Sequence, residues 1–346
     1  MTGLITGLRL VVRFARFPTL MLVYLHMLFF ALCLGPIGVD GWLIVRLVAS
    51  VVAMTASYAN ATAINDLSDE ATDAINLAGD PSRPLVSGQA GRRQVRRVAV
   101  STGIGCVAVS ALVGPWAVVA AAAMIGLNVI YSLPPTRVSG RGALAQLLLP
   151  LEYCAFPAAL MALAWGRVSW TYAAVVVSMY VIFIGRVFLK DIRDEVGDRA
   201  TGKRTFVVRH SKRAAIIQSG VWTVSGTVAL SIAMYFGLDA NPVFVFGFCA
   251  VSLAGQITAL VQADRATDTA QAVLYTGVYS RWISMKVFFY VMLIVLARLQ
   301  AELVVESVVL ALMVIAIVAN VLMLYDNLRR ERVRLAARPS AVPDNR

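Results

Sequence analysis

The sequence predicts an all-α integral membrane protein. Three features support this fold class: long apolar segments, a low content of charged residues, and basic residues that lie between or after the apolar segments. Of the 346 residues, 59% are hydrophobic and 14% are charged, whereas soluble domains average about 25% charged residues. We therefore expect the lipid bilayer to surround most of the chain.

Ten segments are predicted to span the membrane, because a crossing helix needs about 20 apolar residues. They are approximately 17–36, 42–64, 96–113, 115–131, 143–164, 170–189, 213–236, 242–262, 282–299 and 303–325. Several contain Gly, Pro, Ser or Thr, which membrane helices tolerate when neighbouring helices satisfy the backbone. The first segment lacks a clear cleavage site and is followed by many more spans, so we interpret it as a helix and not as a signal peptide.

The distribution of charge predicts the orientation of the chain. The net charge is +12. With a cytoplasmic N-terminus, the basic residues concentrate in the inside loops 65–95, 132–142, 190–212 and 263–281 and in both termini. The positive-inside rule then favours ten spans in the plasma membrane, with both termini cytoplasmic. Because the basic residues flank apolar segments, no nucleic-acid partner is expected.

The first inside loop begins with a cluster of acidic residues. If the second span continues as a helix, Asn65, Asp69 and Asp73 fall at positions i, i+4 and i+8, and Asp66 lies three residues before Asp69. These side chains would then share one helix face.

A second cluster follows the sixth span. Asp191 and Asp194 are spaced i, i+3, and Asp194 and Asp198 are spaced i, i+4. Clustered carboxylates repel one another, and a hard divalent cation such as Mg²⁺ relieves that repulsion by taking oxygen ligands. Acidic residues concentrated at two membrane helix ends indicate a functional site.

Basic residues accompany both acidic motifs. Arg83 follows the first motif, Arg137 follows a Pro-containing turn, and Lys190 precedes the second motif. Mg²⁺ can join carboxylate to phosphate oxygens while Arg or Lys neutralises the remaining phosphate charge. The combination therefore suits a metal-bridged pyrophosphate.

These segments resemble the UbiA superfamily of intramembrane prenyltransferases. Asn65-Asp66-x-x-Asp69-x-x-x-Asp73 looks like its first Asp-rich motif, and Arg83-Pro84 looks like the segment that follows it. Tyr131-Ser132-x-Pro134-Pro135-x-Arg137 resembles the turn after the fourth helix. Lys190-Asp191-x-x-Asp194-x-x-Gly197-Asp198 resembles the second motif, and Arg16-Phe17-Pro18 the start of the first family helix. The resemblance covers about residues 10–300.

The resemblance implies nine transmembrane helices around a central cavity, with the motif loops above it. It implies that Mg²⁺ is the cofactor, that an isoprenoid pyrophosphate is the donor, and that the acceptor is small and usually aromatic. The implied metal–pyrophosphate ligands are Asn65, Asp66, Asp69, Asp73, Asp191, Asp194 and Asp198. The implied pyrophosphate-binding residues are Asn65, Arg83, Arg137, Lys190 and Arg16.

The residues expected to take part in catalysis are Asp69, Asp73, Asp194, Asp198 and Tyr131. Metal ions and basic side chains stabilise the departing pyrophosphate, and a membrane cavity shields the allylic cation from water. Tyr131 is expected to contact the pyrophosphate or to steady the cation with its ring. Its alternative role is that of an anchor in the aromatic belt at the membrane surface.

The predicted domain organisation has three parts. Residues 1–300 form the prenyltransferase domain, with motif loops at 65–95 and 190–212. Residues 301–328 form an additional tenth helix beyond the resemblance, and 329–346 form a basic, disordered tail.

Other functions stay open at this stage. A terpene cyclase of the same superfamily would ionise the pyrophosphate and quench the cation within its own chain. Other members use a polar acceptor, such as a glycerol phosphate or a sugar phosphate. A non-enzymatic lipid or isoprenoid transporter would place its acidic residues near the middle of the membrane, and not at helix ends.

Overall fold

The regular secondary structure is helical throughout the described part of the chain. The structure, a computed structural model, describes residues 2–35, 40–77, 80, 82–237 and 241–298. The helices are α1 Thr2–Phe14, α2 Phe17–Cys33, α3 Gly41–Ser68, α4 Glu70–Asn76, α5 Arg92–Ser110, α6 Pro115–Ser132, α7 Ala143–Pro150, α8 Phe156–Trp165, α9 Trp170–Ala200, α10 Phe206–Arg209, α11 Lys212–Gly237, α12 Pro242–Arg265 and α13 Thr269–Arg298. The predicted all-α class is confirmed.

Among the described residues, seven helices are long and apolar enough to cross a membrane. They are Gly41–Ser68, Pro115–Ser132, Ala143–Trp165, Trp170–Ala200, Lys212–Gly237, Pro242–Arg265 and Thr269–Ala297. An eighth span results if Gly7–Phe14 and Thr19–Cys33, which are bent by 68° relative to each other, count as one. The predicted count of nine or ten spans is not confirmed.

Two of the ten predicted spans are not among these eight. The predicted span 96–113 corresponds to α5, which is helical but begins with Arg92 and Arg93 and also contains Arg96 and Arg97. It is therefore too polar to qualify by composition. The predicted tenth helix at 303–325 and the tail at 329–346 lie outside the described residues.

Helices extend further into the predicted inside loops than the sequence indicated. α9 runs to Ala200, so the second acidic motif is helical and does not open a loop. α13 begins at Thr269, within the predicted loop 263–281. One predicted span, 143–164, is interrupted by a π-turn at Leu151–Ala155, directly after Pro150. π-turns of this kind are frequent at functional sites.

α9 forms the centre of the bundle, and its most extensive packing is against α11. Two glycines bring these backbones together. A Cβ on Gly185 would lie 2.8 Å from the carbonyl oxygen of Ser219, and a Cβ on Gly226 would lie 2.8 Å from the backbone nitrogen of Ile182. Small residues at such crossings let membrane helices approach closely.

A buried polar cluster connects α11, α12 and α13. Lys286 is fully buried, and its ammonium donates to the hydroxyl of Thr227 and to Oε1 of Gln256, the latter at 2.8 Å. One hydrogen-bonded residue on each helix therefore fixes their relative rotation, because a buried cation without these acceptors would be costly.

We predict that Gly226→Ala destabilises the bundle. The new methyl group would overlap the backbone of α9, and overpacking of this kind costs about 1–3 kcal/mol. Thermal unfolding in detergent measures the effect. Gly220→Ala on the same helix is the matched control, since its Cβ would meet only a Leu260 methyl group at 3.6 Å. The control should be neutral or slightly stabilising because Ala favours helix; equal unfolding temperatures for the two variants would contradict the prediction.

Candidate active site

The two acidic motifs meet at one end of the bundle, above a cavity of about 410 Å³. Most of the residues singled out in the sequence line this cavity. They are Arg16, Asn65, Asp69, Asp73, Arg83, Tyr131, Lys190, Asp191, Asp194 and Asp198. Two others lie behind the lining, where Asp66 and Arg137 form ion pairs with lining residues. The structure thus assembles both predicted motifs in one place.

The short helix α4 fixes the first motif against the second. Nδ2 of Asn76 donates to the carbonyl oxygen of Asp194 at 2.9 Å, and Oδ1 of Asn76 accepts from the backbone N–H of Gly197 at 2.8 Å. The Thr72 and Thr201 hydroxyl oxygens lie 2.9 Å apart. Position 197 needs glycine, because a Cβ there would lie 2.5 Å from Nδ2 of Asn76.

Asp66 organises the arginines of the first motif. Its carboxylate is buried, and Oδ1 accepts hydrogen bonds from Arg16 and Arg83, both at 2.7 Å. Arg83 also lies 3.3 Å from Oδ2 of Asp73. Arg83 is itself buried. Its guanidinium therefore connects Asp66 in α3 to Asp73 in α4, seven positions later, in a region shielded from water.

Asp69 is held by two cations from other parts of the chain. Arg137 donates to its Oδ1 at 2.9 Å, and Lys203 donates to its Oδ2 at 2.8 Å. Burial alone would raise the pKa of Asp69, but the charges and hydrogen bonds of Lys203 and Arg137 hold that pKa below its ordinary value. Asp69 is therefore ionised at neutral pH.

Asp73 has the opposite electrostatic environment. Burial raises the pKa of this carboxyl to about 6, against the attraction of Arg83, and the neighbouring charges of Asp66, Asp69 and Asp194 also favour the protonated form. The described cations thus balance Asp69 but leave an excess of negative charge around Asp73. A bound cation would remove that excess.

Lys190 connects the second motif to the end of α6. Its ammonium lies 3.2 Å from the Tyr131 hydroxyl oxygen and 3.2 Å from Oδ1 of Asp191. Gln146 donates to Oδ2 of Asp191 at 3.0 Å. Tyr131 is buried and faces the cavity, with Lys190 5.8 Å from its ring centroid, so it does not occupy a lipid-facing position. Its position suits the predicted contact with a pyrophosphate.

Backbone strain occurs at two of the arginines. Arg16 has a φ of 43° and Arg137 a φ of 34°, and among the described residues these are the non-glycine positions with positive φ. A left-handed conformation costs an L-residue about 1–2 kcal/mol. Both side chains donate to motif carboxylates. Strain of this kind is typical of functional sites that a rigid surrounding maintains.

Four charged residues of the cavity were not among the predicted site residues. Lys203 bridges the motifs, Arg193 pairs with Asp194, and Glu152 and Arg186 lie deeper. The carboxylate of Glu152 is buried and accepts from Ser57 at 2.9 Å. The sequence did contain an indication of Glu152 and Arg186. Each is a charged residue inside a predicted span, and charged residues within the membrane indicate function by default.

Several carboxylate oxygens of the site accept no hydrogen bond. They are Oδ2 of Asp66, Oδ2 of Asp73 and Oδ1 of Asp198, all buried. Among the described residues, no three acidic, His or Cys side chains are grouped closely enough to hold a metal ion as they stand. The predicted set of metal ligands therefore stays a prediction. These carboxylate oxygens without a hydrogen bond are nevertheless the ligand type that hard cations prefer.

The chain is similar in sequence to members of one protein family. Residues 22–278 match the UbiA prenyltransferase family. A digeranylgeranylglyceryl phosphate synthase from Sulfurisphaera tokodaii is 24% identical over 251 residues, which are 71% of this chain and 87% of that protein. A protein of the same name from Halobacterium salinarum is 29% identical over 224 residues, which are 64% of this chain and 76% of that protein.

Solved structures share the fold. A digeranylgeranylglyceryl phosphate synthase structure has a TM-score of 0.62 and 15% identity, over 83% of this chain and 98% of that chain. A UbiA homolog from Archaeoglobus fulgidus bound to GPP and Mg²⁺ has a TM-score of 0.57 and 14% identity, over 82% and 99%. The predicted superfamily and the predicted enzyme class are confirmed: this chain belongs to the UbiA prenyltransferase family.

Proposed function

We propose that the protein transfers a prenyl group from an isoprenoid pyrophosphate to a hydroxyl group of a glyceryl phosphate lipid. The observation that carries this proposal is the joint placement of both acidic motifs and six cations around one cavity; the cations are Arg16, Arg83, Arg186, Lys190, Arg193 and Lys203. The sequence favoured an aromatic acceptor. The names of the curated relatives favour a glyceryl phosphate instead.

The cations of the site bind the donor's pyrophosphate. In the structure described here Arg83 and Lys203 are held by carboxylates at 2.7 and 2.8 Å. A pyrophosphate carries more charge and more acceptor oxygens than one carboxylate, so these donors can exchange to it without leaving the site. Lys190, on α9, adds a positive charge to the cavity wall beside the second motif, where it pairs with Asp191.

The site also suits Mg²⁺. The buried oxygens of Asp66, Asp73 and Asp198 that accept no hydrogen bond fit a hard divalent cation, as does the negative charge concentrated around Asp73. We assign Asn65, Asp66, Asp69, Asp73, Asp191, Asp194 and Asp198 to hold it, directly or through water. Bound Mg²⁺ supplies electrostatic stabilisation of the departing pyrophosphate. Structures of a UbiA homolog from Archaeoglobus fulgidus are bound to DMAPP or GPP together with Mg²⁺, which supports Mg²⁺ as the cofactor.

The cavity below the motifs holds the donor chain and excludes water. Its apolar lining comes from Met124, Leu127, Leu148, Leu149, Leu189 and Val273. When the C1–O bond of the donor breaks, the electron pair leaves with the pyrophosphate, and positive charge develops on the allylic carbon. Tyr131 lies beside Lys190 at the junction of the polar and apolar regions, where its ring can face that carbon.

The acceptor hydroxyl completes the reaction. Its oxygen forms the new bond to C1, and its proton passes to the released pyrophosphate, so that charge and atoms balance. Water must be kept from C1, because it would compete as a nucleophile. We place this chemistry at the cytoplasmic surface of the plasma membrane; that orientation follows from the positive-inside rule and stays a prediction.

We predict that purified protein in lipid vesicles with Mg²⁺ and geranylgeranyl pyrophosphate prenylates geranylgeranylglyceryl phosphate. Product analysis by mass spectrometry should show the ether only with Mg²⁺, and EDTA should abolish it. Aromatic acceptors such as 4-hydroxybenzoate should yield little product. Preferential prenylation of the aromatic ring would replace the acceptor proposed here, and a terpene formed without any acceptor would indicate a cyclase.

We also predict that Asp69→Asn reduces the rate of pyrophosphate release by about 100-fold or more, because it removes a carboxylate at the centre of the charge cluster. Glu70→Gln is the matched control. Glu70 is the next residue in the chain but pairs with the exposed Arg92 away from the cavity, and exposed pairs contribute little. Unfolding temperatures should confirm that both variants are folded. Equal rates for the two variants would argue against the assigned role of Asp69.

A further inference from the structure

A second pocket, of about 170 Å³, lies beside the reaction cavity and shares part of its wall. Its polar lining consists of Arg186 and Lys190 from α9, Thr276 and Ser280 from α13, and Tyr153 from the π-turn. Among the described residues that line it there is no carboxylate. The pocket therefore has the charge of an anion site and lacks the ligands of a metal site.

Arg186 differs from the other cations of the cavity. Arg83, Lys190, Arg193 and Lys203 each pair with a motif carboxylate. Within the described part of the chain, the guanidinium of Arg186 forms no ion pair or hydrogen bond, and its contact is with the ring of Phe183, 5.4 Å from the centroid. An arginine within a membrane helix is costly without a partner. Its donors are thus available to a ligand.

The position of Arg186 separates it from the pyrophosphate-binding cations. It precedes Lys190 by four residues on α9, which places it one turn, about 6 Å, further from the motif end of the helix. Thr276 and Ser280 face it from α13 and are also one turn apart. Their hydroxyls donate to the carbonyl oxygens of Val273 and Thr276, at 2.7 and 3.0 Å, so Arg186 is the main uncommitted donor.

We propose that Arg186 binds the phosphate group of the acceptor and thereby selects phosphorylated acceptors. This inference rests on the proposed function. A guanidinium offers two parallel hydrogen bonds to phosphate oxygens, and Lys190 adds a second positive charge at the boundary with the pyrophosphate site. In a glyceryl phosphate the free hydroxyl is only a few bonds from the phosphorus. A phosphate held one turn below Lys190 therefore places that hydroxyl within reach of C1 of the donor.

The test compares geranylgeranylglyceryl phosphate with geranylgeranylglycerol, which lacks the phosphate. We expect wild-type protein to prefer the phosphorylated acceptor in kcat/KM, and Arg186→Gln to lose about 10- to 100-fold with that acceptor alone. The KM for geranylgeranyl pyrophosphate should stay within about twofold. Arg186→Lys should restore part of the loss, because it keeps the charge but not the paired donors.

Arg46→Gln is the matched control. Arg46 is also an arginine in a membrane helix that lies over an aromatic ring, that of Trp42, but it does not line either pocket. It should leave the acceptor preference unchanged. Equal losses with both acceptors in Arg186→Gln, or a raised KM for the donor instead, would overturn the proposal.

A binding measurement distinguishes failure of the proposed phosphate site from failure of the proposed function. Calorimetric titration of the detergent-solubilised protein with the same two lipids, without donor, reports acceptor affinity alone. If the wild type binds the phosphorylated lipid more tightly and Arg186→Gln loses that difference, the phosphate site stands even where no ether forms. If the wild type shows no preference, or the variant keeps it, the phosphate site is refuted whatever the activity.

Discussion

Lys203 holds the two acidic motifs together. Its ammonium lies 2.8 Å from Asp69 and 3.8 Å from Asp198, so one cation stands between carboxylates that would otherwise repel each other. The backbone N–H of Lys203 also donates to the carbonyl oxygen of Asp198 at 2.8 Å, which fixes the turn after α9 that carries the side chain. This pairing joins the same two segments that Asn76 and Thr72 connect through α4, and Arg137 shares Asp69 with Lys203.

The same charge balance makes the site receptive to a substrate. Each buried carboxylate needs a cation nearby, because isolated charges in this region would be costly. The arginines and lysines meet that need for Asp69 but only in part for Asp73, whose pKa stays raised to about 6. A bound divalent cation would meet it while the arginines and lysines turn to the pyrophosphate. Since Asn76 holds α4 against α9 with hydrogen bonds of 2.8 and 2.9 Å, the framework of the site persists while Arg83 and Lys203 exchange partners. The strained backbones of Arg16 and Arg137 favour this preorganised arrangement.

The sequence predicted the motif residues better than the helices that carry them. Asp69 and Asp73 were located by their acidic cluster, although the single helix expected to carry both breaks at Asp69, between α3 and α4. α9 was ended too early, just before Lys190, although a helix can continue beyond the bilayer as Lys190–Ala200 does. The Lys203–Asp69 pair spans 134 positions, and no local pattern in one sequence predicts such a contact. α1 lacks an apolar segment of spanning length, so it was missed.

The charges inside the membrane distinguish transfer from cyclisation. A cyclase moves positive charge along the isoprenoid chain, away from the pyrophosphate and into the cavity. In this protein the guanidinium of Arg186 lines that path one turn beyond Lys190, and it would repel a migrating carbocation in a region of low dielectric. The same positive charge attracts an anionic acceptor. The position of Arg186 therefore supports the proposed capture of the cation at C1, next to the pyrophosphate, by an anionic acceptor.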